Sequence, residues 1–396
     1  MGIPELMTPQ LTIGKLTRLS VLLLIGTLLC GCESGPPQNG PYLEHFPNGN
    51  IKLEENYRNG KLHGLSTVYF EDGRLQRIYQ YVDGLKQGPF KKYYENGQLH
   101  LEGNNKNDKL DGEIREYYED GTPKEDLHVK EGLMEGPYLS YHPNGEIHST
   151  GQFAADKRTG DFKHYYDNKS LLREETYIEG KPEGIVKSFF SDGTQMSIKA
   201  YKNGLPDGPH REYYRDGQLS SLKHYKEGKL HGQNREYYKN GEWKSVKNYE
   251  NGILEGQAKD FYPNGQLMTK ENYAGGKRLG EVITYHRDGS VKGTGTYRGG
   301  ELHGVTKTFN QAGQILTEAY WENNKMVGTT RAWYDDGTLK QIITRSEDDK
   351  TMEVEEYFPN GKLYKKSIYD MGELSFSEVY DKKGNLIYQT EEDKDQ

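Results

Sequence analysis

The sequence predicts an all-β protein, an elongated single-layer array of about fourteen stacked antiparallel β-hairpin repeats. Three observations lead there. Glycine recurs in three registers at a spacing of 24 residues. The residue before the glycine of one register is Asn or Asp in 13 of 14 copies. Aromatic residues recur at fixed offsets from those glycines, 32 of them Tyr. Composition alone misleads: 33% apolar residues and a mean hydropathy of −0.98 read as disorder. Disordered chains are poor in aromatics, however, and a skew of this kind signals repetition.

The first element is an address. Lys15 and Arg18 precede an apolar run from Leu19 to Leu29. The run is too short to span a bilayer comfortably and fits the core of a signal peptide. It ends in Leu29-Cys30-Gly31-Cys32, which resembles a bacterial lipobox. That chemistry needs a thiol at the new N-terminus and a small residue before it. Cys32 meets both needs, and Cys30 follows the larger Leu29. Residues 1–31 are therefore expected to be a lipoprotein signal, with a lipid on Cys32 and a short tether over 32–39. Glu33 and Ser34 lack the Asp tied to inner-membrane retention, so resemblance to enteric lipoproteins favours the outer membrane of the bacterial envelope. The residues before Lys15 exceed what a signal needs, which leaves Met1 and Met7 open as starts. Cleavage would leave one of the two cysteines, so stability must come from the repeat stack rather than a disulfide.

The repeats follow over 40–390. The first register, Gly49 to Gly361, holds Gly at 13 of 14 positions, with Lys169 the exception. The second, Gly60 to Gly372, holds Gly at 10 of 14; Asp108, Asp156, Asn324 and Asp348 replace it. Asp and Asn tolerate left-handed φ, so this position demands it. The third, Gly40 to Gly328, is broken only by Met352. Asn-Gly or Asp-Gly between alternating segments marks a hairpin. Pro47, Pro143, Pro263 and Pro359 precede that pair in four copies. Proline suits position i+1 of a type I turn, which favours a three-residue loop closed by a left-handed Gly. Tyr69 should then face Leu75, and Tyr93 should face Leu99. The joint Asn59-Gly60-Lys61-Leu62-His63-Gly64 reads as a wide glycine loop. A strict period of two puts the Tyr69, Leu75 and Tyr81 columns on one face, the expected core. Adjacent residues point to opposite faces. The second column, Phe70, Tyr94, Tyr118, Tyr166, Tyr214, Tyr238 and Tyr262, is thus expected on the more exposed side. It is a candidate binding surface for protein or glycan. The competing reading is aromatic pairing that stiffens a thin sheet.

The run Asn59-Gly60-Lys61-Leu62-His63-Gly64, recurring as Glu227-Gly228-Lys229-Leu230-His231-Gly232, resembles the MORN repeat. Tyr93-Tyr94-Glu95-Asn96-Gly97-Gln98-Leu99 resembles the bacterial variant of it. The sequence departs from classical MORN at Ser66, where a Gly is usual. It departs again at Arg345, Asp348 and Met352, a stretch read as a C-terminal capping irregularity. The resemblance implies an antiparallel β array used for protein or membrane contacts. Some bacterial members are antitoxins, which implies an immunity role as an alternative. The tail over 391–396 is acidic and is expected to be disordered.

Charge and motif exclude other classes. The net charge is −8 and no basic stripe exists, so phosphate would be repelled and no nucleic-acid partner is expected. His63, His231 and His303 share one repeat position and lie too far apart to join at a metal. Gly293-Thr294-Gly295 lacks the helix a dinucleotide loop must open. No nucleophile, histidine and acid stand outside the period. Catalysis needs one site unlike its neighbours, so the expectation is a scaffold without cofactor or enzymatic activity.

Overall fold

The computed structural model describes residues 35–391. Cys32 with its signal, and the tail after Glu391, lie outside the described residues. The rest forms 36 β-strands in one open antiparallel sheet. Strands pair with their sequence neighbours, as Gly64–Tyr69 does with Leu75–Val82 and Leu75–Val82 with Leu85–Tyr93. All contacts that build the sheet are thus local, as expected of a repeat array.

The tight turn takes the expected form. Gly73 N donates to Phe70 O at 2.9 Å and Phe70 N to Arg74 O at 2.8 Å. Gly73 has φ of 87°, so Glu71, Asp72 and Gly73 form a type I turn closed by a left-handed residue. Tyr69 pairs with Leu75 and Tyr93 with Leu99. Lys169 holds φ of 71° where glycine is usual. Another turn of this kind follows the expected fourteen, where Gly384 N donates to Asp381 O at 2.9 Å.

The second joint corrects the expected wide loop. Arg58 pairs with Lys61, and Asn59 and Gly60 have φ of 51° and 71°. Two consecutive left-handed residues make a two-residue type I′ turn, which matches the twist of the strands it joins. Asp108, Asp156 and Asn324 take the left-handed φ demanded of them, at 66°, 65° and 66°. Asp348 does not; the left-handed residue there is Asp349, in a longer loop from Ser346 to Lys350. Strands Leu363–Asp370, Glu373–Tyr380 and Leu386–Glu391 continue the sheet beyond it, so that irregularity is internal rather than terminal. The glycine four places after the turn lies inside the strand. Gly88, with φ of 99°, sits where Tyr81 pairs with Lys86 but Tyr79 pairs with Phe90. The extra residues form a bulge.

A second bulge corrects the expected faces. Tyr69 pairs with Leu75 but Val68 pairs with Arg77, leaving Gln76 extra. An extra residue reverses the side on which later side chains emerge. Leu75 therefore stays with Tyr69 while Tyr81 passes to the opposite face. The Tyr69 face carries the acids that its hydroxyls reach: Tyr117 donates to Glu102 at 3.0 Å and Tyr141 to Asp126 at 2.9 Å. The Tyr81 face holds the core. Phe90, Ile114, Leu127 and Val129 are buried together there, with Tyr79, Leu101 and Met134 against them. Phe90, Ile114, Phe162, Val186, Ala258 and Val282 form one buried column, two residues past the strand glycine. Phe162 is only 1% exposed. Small partners make room for it. A Cβ on Gly151 would stand 2.3 Å from the Phe162 ring, and one on Gly103 would stand 2.3 Å from Ile114 Cδ1. Further along, Ser197, Ser221 and Ser245 are buried and the core turns polar.

Candidate interaction surface

The same bulge decides where the candidate aromatic column lies. Phe70, Tyr94, Tyr118, Tyr166, Tyr214, Tyr238 and Tyr262 are half-buried rather than exposed, and they share the core's face. The hydroxyls of the six tyrosines are occupied. Tyr94 donates to Tyr117 O at 2.8 Å, Tyr118 to Tyr141 O at 3.0 Å and Tyr166 to Phe189 O at 3.0 Å. Tyr214, Tyr238 and Tyr262 make the same bond to Tyr237, Phe261 and Tyr285. Each bond spans 23 residues and ties one repeat to the next. His142 and His286 replace tyrosine in the column and keep the tie through Nε2, at 3.0 Å. Burial raises the Tyr94 and Tyr166 hydroxyls above the usual phenol range, so the donor proton is retained. Ring faces are partly covered as well. His100 stacks on Tyr94 at 4.2 Å, and the ammonium of Lys124 lies 6.0 Å from the Tyr118 ring.

Two further ladders bind the repeats. The turn asparagines donate to a carbonyl one repeat on: Asn96 to Glu119 O at 2.7 Å and Asn264 to Arg287 O at 2.8 Å. The I′ turns are stapled through backbone, as Gly84 N donates to Leu62 O at 2.8 Å and Gly228 N to Pro206 O at 2.8 Å. In several repeats the residue before the strand glycine accepts from the next turn. Asp207 takes Glu227 N at 3.0 Å and His63 Nδ1 takes Asp83 N at 3.3 Å. His63 thus has a structural task, which His231 and His303 do not share, their Nδ1 atoms being buried without a partner.

Sequence reasoning also missed a buried polar cluster. Ser149 Oγ lies 2.8 Å from His164 Nδ1, and His164 Nε2 lies 3.4 Å from Glu175 Oε1. Arg173 Nε donates to Glu175 Oε2 at 3.0 Å. Burial pushes the Glu175 carboxyl up, but His164 and Arg173 outweigh it and hold the acid below its ordinary value. A hydroxyl, imidazole and carboxylate are thus in line. Ser149 is only 4% exposed, which denies a substrate access to its oxygen. The three positions come from three strands and two repeats, so no linear motif reveals them. Among the described residues no three His, Cys, Asp or Glu come together as metal ligands. Nor is any described helix long and apolar enough to cross a membrane.

The family follows from the repeat itself. The model of the MORN repeat variant matches nine stretches: 38–59, 62–83, 86–107, 110–131, 134–155, 158–179, 206–227, 254–274 and 350–371. The chain belongs to the MORN-repeat family. In each matched MORN unit from 62–83 to 206–227, the match ends within the I′ turn, so its boundaries follow the hairpins of the sheet. Between the matched stretches the MORN period persists in the turns, as at Gly241 and Gly289. No curated protein matches the chain. Among solved structures, a crystal structure of TcdB2-TccC3-TEV is 11% identical, covering 87% of this chain and 21% of that one, with a TM-score of 0.15. A Tc holotoxin pore of Photorhabdus luminescens carrying a TccC3 mutation is also 11% identical, over 89% and 18%, with a TM-score of 0.15. The MORN chain thus spans about a fifth of the length of those chains, and scores this low carry no comparison further.

Proposed function

We propose that this MORN protein is a non-catalytic scaffold of the bacterial cell envelope, anchored by a lipid on Cys32 and presenting one long edge to a protein partner. The supporting observation is a row along the I′ turns. Leu85, Leu133, Leu205 and Ile253 occupy one repeat position and are 45%, 46%, 51% and 51% exposed. Lys61, Lys109, Lys157, Lys181, Lys229 and Lys277 occupy the same position in other repeats. Adjacent repeats lie about 10 Å apart, two strand spacings, so from Lys61 to Lys277 apolar and cationic groups alternate at that interval, except where Lys157 and Lys181 follow one another. The half-buried tyrosine column spends its polar atoms inside the sheet, whereas this row is free to meet a partner with an apolar and acidic stripe.

Crosslinking in the native cell followed by partner identification tests the reading. Replacing Leu85, Leu133, Leu205 and Ile253 by Ser should abolish the crosslinked species while the chain stays folded. An unchanged crosslink would reject this edge. Metabolic palmitate labelling should be lost in Cys32→Ala; labelling that survives would reject the anchor.

A further inference from the structure

One repeat departs from the period in a way the scaffold does not use. We propose that the surface around Trp243 and Arg235 is a binding site for a carboxylated sugar. Trp243 stands in the column otherwise held by residues such as Leu219 and Leu267, on the Tyr69 face, and is 47% exposed. The Arg235 guanidinium lies 6.0 Å from the Trp243 ring, and Phe261 meets that ring edge-on at 5.7 Å. The indole is held in place from two sides and keeps much of its surface free.

Arg235 carries an uncompensated charge. Its Nε and Nη2 donate to Gln233 Oε1 at 2.9 and 2.5 Å, and that amide is neutral. The equivalent arginine five repeats earlier, Arg115, pairs with Glu113 at 2.9 Å. Among the described residues no carboxylate lies within ion-pair distance of Arg235. Glutamine in place of glutamate keeps the guanidinium oriented and leaves its charge for a ligand.

Beside Arg235 an open depression of about 480 Å³ is lined by Leu222, His224, His231, Gly232 and Gln233. Polar capacity around it is unused. Behind it, on the core face, Asn234 is 7% exposed, accepts from His224 N through its Oδ1 at 2.7 Å, and has no partner for Nδ2. His231 Nδ1 is likewise buried without a partner, although its counterparts Asp207 and Glu255 cap the next turn. No other repeat combines this tryptophan, arginine and pair of histidines.

The chemistry of these groups selects the ligand. The exposed indole takes the C–H face of a pyranose ring. Arg235 takes a carboxylate on that ring, and Gln233 and His224 offer hydrogen bonds to its hydroxyls. A uronate polymer carries such a ring, and a muramic acid residue free of peptide carries its carboxylate on the lactyl ether of the ring.

Titration of the full chain by calorimetry and tryptophan fluorescence tests the proposal, with trigalacturonate, N-acetylmuramic acid, neutral maltotriose and an Asp/Glu-rich peptide as probes. At least one of the two carboxylated sugars should bind, and which one does names the source. Trp243→Ala and Arg235→Gln should each weaken it by about tenfold or more. Arg235→Lys, which keeps the charge, should recover part of the loss and guards against a folding defect. The proposal is overturned if neither sugar binds at millimolar concentration, if maltotriose binds as tightly, if the acidic peptide binds more tightly, or if the variants bind normally.

Discussion

At the scale of the residue, side-chain volume on the core face is matched locally, across one pair of strands. Gly151 lies beneath Phe162, and a methyl there would meet the ring at 2.3 Å. Gly151→Ala should cost about 1–3 kcal/mol through overpacking. Urea unfolding measures it, and the double variant with Phe162→Leu should recover much of the loss. The rings of His142, His148 and His164 follow one another nearby, 4.6 and 6.4 Å apart. Burial lowers the His148 imidazole below its ordinary value, and His142 and His164 lower it further. Folded protein thus binds fewer protons at this site than unfolded protein. Its contribution to stability is present above the unfolded value, near 6.5, and is lost as the pH falls through the lower folded value. The urea midpoint should therefore fall as the pH drops from about 7 to about 5, and His148→Gln should flatten that fall. A slope identical in the two proteins would reject the assignment.

At the scale of the element, the two turns differ in what each glycine must do. Gly228 is the second residue of a I′ turn with φ of 82°. Gly228→Ala should destabilise by about 1–2 kcal/mol, the cost of a left-handed Cβ. Asp108 bears the same strain but accepts Lys86 N at 2.8 Å in return. Asp108→Gly exchanges that bond for relief of strain, so its effect should stay within about 0.5 kcal/mol. Thermal melts of the two variants separate the cases. The elements were largely legible from sequence. Prolines such as Pro47 marked the three-residue loop, and Asp108 and Asp156 betrayed the left-handed position. The bulge at Gln76 was not legible, because it arises from the pairing of Val68 with Arg77 and no residue type encodes it. That one residue moved Tyr81 and the Phe70 column to the other face. The candidate column is periodic in the sequence, but its hydroxyl ties depend on carbonyls 23 residues away that only the folded stack brings near.

At the scale of the whole molecule, stability is a chain of neighbour terms rather than one core. An array of about fourteen hairpins at about 4.8 Å per strand extends on the order of 130 Å. Small-angle scattering should give a radius of gyration well above the roughly 21 Å of a compact chain of this length. A compact value would reject the open sheet. The staples between turns have a consequence for how such a chain changes over generations. The ties join adjacent repeats, forward from Tyr214 to Tyr237 and backward from Gly228 to Pro206. Excision or duplication of any block of 24 residues returns each donor to an equivalent acceptor. The gene can therefore lengthen or shorten by unequal recombination without passing through an unfoldable intermediate, and the reach of the protein becomes a heritable quantity set in units of one hairpin.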